Sequence, residues 1–118
     1  ACKGYTATTT GTINKQHMKI IDAQTLKARI DAGEKINLLD VREEYERTEY
    51  NIGGTHLTLG KIQSMQVEDI MDWKDEEVVV YCRSGNRSGI ACLFMEQVGF
   101  ANMVNLAGGM LAWQEKFK

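Results

Sequence analysis

Cys82 heads a short polar stretch, Cys82-Arg83-Ser84-Gly85-Asn86-Arg87, that separates the β-favouring run 78–81 (VVVY) from a helical pattern. A cysteine placed where a buried strand ends and a helix is about to start has its sulfur inside a ring of backbone N–H groups. Those donors and the helix dipole stabilise an anion. The thiolate is therefore expected to form below the free-cysteine pKa of about 8.5, which makes Cys82 a candidate nucleophile. Gly85 lets the backbone curl without a Cβ in the way. Arg83 and Arg87 add fixed positive charge, and residues 78–95 contain no acidic side chain, although the whole chain carries 14 basic against 16 acidic groups.

Such a loop must be held by strands and helices, and the apolar pattern supplies them. Residues 18–21 form a strand candidate; Asp22 is an N-cap, with Ala23, Leu26 and Ile30 on one helical face and Gly33 as the stop. The near-continuous apolar run 36–41 reads as a strand buried on both faces. A short charged helix follows in REEYERTEY, whose Glu43, Glu44 and Glu46 read as a solvated face; then come the turn Gly53-Gly54 and a brief strand at 55–57. Residues 61–71 suggest a weakly amphipathic helix. After the Cys82 loop, Ile90, Leu93, Phe94 and Val98 share a helical face that Gly99 ends, 103–106 is a last strand, and Met110, Trp113 and Phe117 mark one face of a last helix. Strands alternating with helices imply an α/β fold, a mainly parallel sheet with helices on both faces. Ligands of such sheets lie beyond the carboxyl ends of the strands. Three segments stand there: Asp40-Val41-Arg42, the Cys82 loop and Ala107-Gly108-Gly109.

The composition excludes several classes. The chain has 118 residues, a net charge of −2 and no long basic stripe, which disfavours a dedicated nucleic-acid binder. Its longest apolar run, 90–95, is far short of the roughly twenty residues of a spanning helix, so no transmembrane segment is expected. Three cysteines without a C-x-x-C pair make neither a disulfide framework nor a zinc site. Residues 1–17 are polar and aperiodic and read as a flexible tail, leaving 18–118 as a single domain. Ala1-Cys2 is either a bacterial lipoprotein cleavage remnant, with a cell-envelope location, or a cut end, with a cytoplasmic one.

Four segments in order carry a family resemblance: LLDVREEYE at 38–46, NIGGTHL at 51–57, VVVYCRSGNRS at 78–88 and NLAGGMLAW at 105–113. Together they resemble a single-domain rhodanese, a sulfurtransferase. The resemblance implies a five-stranded parallel sheet flanked by helices, with Cys82 as the sulfur-carrying residue. Arg83, Ser84, Gly85, Asn86, Arg87 and Ser88 would then form the active-site loop that binds substrate. One segment departs from the family: Ile52-Gly53-Gly54-Thr55 stands where Ile-Pro-Gly-Ala is usual. Glycine is able to adopt the angles that proline fixes, at a larger entropy cost.

The chemistry this implies is a ping-pong cycle. The Cys82 thiolate takes the outer sulfur of a small donor such as thiosulfate, and the resulting persulfide passes it to cyanide, a thiol or a protein. No cofactor or metal is needed, because the enzyme sulfur is the carrier, and a monomer suffices. Arg83 is read as recognising a sulfonate or the acceptor. Arg87 either presents charge to substrate or pairs with an acid such as Asp40. Asp40 and Arg42 are read as a structural pair bracing the loop, and Cys92, His56 and Trp113 as structural. Two other functions remain. A phosphatase or arsenate reductase also cradles an anion beside a cysteine, but needs arginine where Ser88 stands, and the loop is small for phosphate. A non-catalytic partner-binding module would have no need of Cys82.

Overall fold

The computed structural model describes residues 18–117. Five strands form one sheet: β1 (Lys19–Ile21), β2 (Asn37–Asp40), β3 (Thr55–His56), β4 (Glu77–Tyr81) and β5 (Asn102–Leu106). Their order is β1-β5-β4-β2-β3, and every neighbouring pair is parallel. The connections are α1 (Ala23–Asp31), α2 (Glu44–Glu49), α3 (Leu59–Gln63), a 3-10 turn at Glu68–Trp73, and α4 (Asn86–Gln97); α5 (Gly109–Phe117) follows β5.

The apolar runs of β2 and β4 fill both faces of the sheet, because successive side chains alternate. Leu39, Val78 and Val80 pack on one side with Cys92, Met95 and Ile62. Leu38, Val79 and Tyr81 pack on the other with Leu26, Leu106 and Trp113. All four residues of β4 from Val78 to Tyr81 are fully buried, so the strand that leads to Cys82 is the most deeply seated element of the fold. Burying each valine there stabilises the fold by roughly 1.5–3 kcal/mol.

Three expectations change. Asp22 does cap α1 through Thr25, but Ile30 lies on its exposed side. The helix expected over 61–71 is two pieces, because Met65 turns into the left-handed region (φ 63°) after α3 and chain direction changes there. In α4 the buried face is Ser88, Ala91, Cys92 and Met95, while Ile90 and Leu93 point outward. Ser88, in the first turn of this face, is turned toward Cys82. Residues 1–17, with the flexible tail expected there and Ala1-Cys2, lie outside the described residues.

Candidate active site

Cys82 follows β4 directly and is 1% exposed. Its Sγ accepts from the Gly85 N–H at 3.1 Å and the Ser88 N–H at 3.4 Å, and the Ser88 hydroxyl lies 3.4 Å away. Gly85 caps α4 with φ 104°, a conformation that favours glycine, and so tucks its N–H under the sulfur.

The far side of the loop is held by α5. The Met110 and Leu111 N–H groups donate to the carbonyls of Cys82 and Arg83, both at 2.9 Å. In a trans peptide the N–H points opposite to the C=O, so drawing the Arg83 carbonyl outward turns the Ser84 N–H inward. Gly109 makes this approach close: a Cβ there would stand 2.4 Å from the Cys82 oxygen and 2.6 Å from that of Arg83. Burial alone would push the Cys82 thiol up. Donation to the ionised sulfur from the Ser88 hydroxyl and from the N–H groups of Ser88, Gly85 and Ser84 outweighs it, and the thiol sits below its ordinary value. Burial pushes the Cys92 thiol up to about 12, as befits a core thiol.

Arg83, Ser84 and Asn86 are exposed on the loop's outer surface. Arg83 forms no ion pair with any described residue and borders a cavity of about 480 Å³ that Arg42, Tyr45, Glu49, Met110 and Gln114 also line. Arg87 does pair with an acid, but with Glu46 rather than Asp40: its two terminal nitrogens meet the carboxylate at 2.7 and 2.8 Å. Glu46 is therefore not part of a solvated face. It turns inward because its carboxylate also accepts from the Glu43 N–H in a capping box, which fixes its rotamer toward the loop.

Asp40 and Arg42 form a buried bidentate pair, with both contacts at 2.9 Å. Arg47 joins Asp40 at 3.1 Å and donates to the Gly54 carbonyl at 2.7 Å, tying α2 to the turn before β3. His56 Nε2 lies 2.7 Å from the Arg42 carbonyl, which accepts only, so that nitrogen carries the proton. In that turn Gly53 has φ 92° and its N–H donates to Asn51 at 2.8 Å. Proline satisfies neither condition, so glycine here does not copy the angles of the family's proline; it builds a different turn. The residue that the sequence reading missed is Asn105, buried in β5, which bridges Ser88 and the Gly85 carbonyl. Its signal was a polar residue inside the otherwise apolar strand MVNL.

A family model described as the rhodanese-like domain matches residues 22–116. The chain belongs to the rhodanese-like family. YtwF of Bacillus subtilis (strain 168), which carries a sulfurtransferase name, is 40% identical over 103 residues, covering 86% of this chain and 95% of its own. A protein of Allochromatium vinosum named sulfurtransferase is 34% identical over 93 residues, covering 79% and 85%. A rhodanese-like domain protein of Staphylococcus aureus superposes with a TM-score of 0.70 at 26% identity, covering 81% of this chain and 91% of that one. These relatives support a transferase of the rhodanese-like sulfurtransferase family, on the five-stranded parallel α/β fold expected. Among the described residues no helix is long and apolar enough to cross a membrane.

Proposed function

We propose that the protein moves a sulfane sulfur from thiosulfate or a persulfide donor to a thiophilic acceptor, with Cys82 as carrier. The observation that carries this reading is the Cys82 sulfur itself, surrounded by the N–H groups of Gly85 and Ser88 at the start of α4. In the first half-reaction the thiolate attacks the outer sulfur of the donor. An S–S bond forms on Cys82, the donor S–S bond breaks, and sulfite leaves with the electron pair. The persulfide's terminal sulfur bears the negative charge within reach of the loop donors, as an oxyanion hole holds oxygen. In the second half-reaction cyanide, a thiol or a protein thiolate attacks that sulfur, and the Cys82 thiolate departs.

Arg83, at the edge of the cavity and without an ion pair among the described residues, is the group for the donor's sulfonate or an anionic acceptor. Arg87 is committed to Glu46 and acts by holding the loop. Asp40 and Arg42 brace the strand end beneath it. The phosphatase reading loses support, because the arginine fork such enzymes need is replaced by Ser88, whose N–H and hydroxyl face sulfur.

The test is the intact mass of the protein before and after thiosulfate, with peptide mapping and a Cys82→Ser control. One added sulfur at Cys82, discharged by cyanide and absent from the variant, is expected. No gain from thiosulfate, mercaptopyruvate or a persulfide donor would overturn the reading.

A further inference from the structure

The hydrogen-bond directions around Ser88 are determined by chemistry alone. The Gly85 carbonyl only accepts, so the Asn105 amide must turn Nδ2 toward it, at 3.1 Å. That leaves Asn105 Oδ1, also an acceptor only, facing the Ser88 hydroxyl at 2.5 Å. Ser88 owns one hydroxyl proton, and it must lie on this bond. The oxygen then presents a lone pair to Cys82 Sγ at 3.4 Å, which suits a neutral S–H donating to it and opposes a thiolate.

We propose that Asn105 is a positioning residue that holds the Ser88 proton while the Cys82 sulfur is neutral and releases it to the sulfur when the sulfur is an anion. Ionisation of Cys82 and rotation of the Ser88 hydroxyl are one event: the hydroxyl leaves Asn105 Oδ1 and donates to sulfur instead. The same geometry lets the proton return when Cys82 Sγ carries a second sulfur and the charge has moved outward. This last consequence rests on the sulfur-carrier reading above; the ionisation itself does not.

The charged and titratable groups around Cys82 do not duplicate this role. Arg87, on α4, is neutralised by Glu46 of α2. Cys92, also on α4, stays protonated. Arg83 is on the loop's exposed side, and α5 and β5 offer the neutral Met110 N–H and Asn105.

A double-mutant cycle read by pH titration tests the proposal. The signal is thiolate absorbance in the ultraviolet, taken against the Cys82→Ser counterpart of each variant, which requires no sulfur transfer. Asn105→Ala frees the Ser88 proton for sulfur, so the Cys82 pKa is expected to fall by roughly half a unit to one unit, the worth of about one net hydrogen bond. Ser88→Ala removes the donor and raises it. Adding Asn105→Ala to Ser88→Ala is expected to produce no further fall. Asn105→Val, which favours the strand, carries the same expectation should the alanine variant fold poorly. An equal shift in both Ser88 backgrounds, or no fall in the Ser88 background, would show that Asn105 acts only through loop structure and overturn the proposal. Loss of sulfur loading with the cycle intact would instead count against the carrier reading alone.

Discussion

Arg87, in the first turn of α4, grips Glu46 of α2 across 41 positions of sequence, with nitrogen–oxygen distances of 2.7 and 2.8 Å. Arg87 is thus already satisfied by a protein carboxylate, and among the described residues Arg83 is the arginine without an ion pair.

This division of labour separates the two arginines in kinetics. Arg83→Gln is expected to raise the KM for thiosulfate about two- to fivefold at low ionic strength, the scale of one exposed charge contact. Its effect should shrink with added salt while kcat holds. A KM unchanged at low ionic strength would remove Arg83 from donor recognition. Arg87→Gln is expected to act through loop order instead and to show little salt dependence.

The Glu46 and Asp40 carboxylates make stability depend on acid. Arg87 holds Glu46 below its ordinary 4.5, mainly by direct hydrogen bonds. Burial would push Asp40 up, but the hydrogen bonds and charge of Arg42 outweigh it and hold it below its ordinary 3.8. Both pKa values are depressed in the folded state, so their contribution is present above about pH 4.5 and lost as pH falls through the folded values. Urea melts between pH 2 and 6 should show a decline confined to the acid side, and it should be smaller in Glu46→Gln.

Sulfur loading should follow the Cys82 thiolate. Since the thiol lies below its ordinary value, the single-turnover rate with thiosulfate is expected to rise with pH and reach its plateau before a free thiol would. Ser88→Ala should move that rise to higher pH, because a donor to the anion is lost.

Removing the buried carboxylate tests the brace. Asp40→Ala leaves Arg42 with its charge buried and its bidentate partner gone, and is expected to cost about 3 kcal/mol in chemical denaturation. A loss near zero would mean that water and the Tyr50 carbonyl, which already accepts from Arg42 at 2.6 Å, suffice for the guanidinium.

Restoring the proline usual in the family should harm this protein. Gly53→Pro is expected to lower the melting temperature, since φ 92° is closed to proline and the N–H bond to Asn51 disappears. A rise in melting temperature would show that the turn rebuilds freely.

The sheet was legible from sequence because β2 and β4 are buried on both faces, which leaves unbroken apolar runs. The Cys82 loop was legible for a related reason: it is a polar segment between two strongly patterned ones. The helix faces were harder. α4 presents Ile90 and Leu93 to solvent and Ser88, Ala91, Cys92 and Met95 to the core, so two of its branched apolar side chains mark the wrong side. Glu46 looked like any acid in a charged helix, since its partner lies far along the chain. Asn105 sat inside the motif NLAGGMLAW, yet its role depends on which way an amide faces, and only the surrounding acceptors decide that.

The clasp of α5 on the Cys82 loop has a consequence for biosynthesis. Met110 and Leu111, whose N–H groups hold the Cys82 and Arg83 carbonyls, are translated after every residue of the loop itself. Until α5 has emerged and docked, the carbonyls of Cys82 and Arg83 lack these two donors, and the turn they impose on the Ser84 N–H is absent. The last helix to be made is thus the one that completes the loop around Cys82.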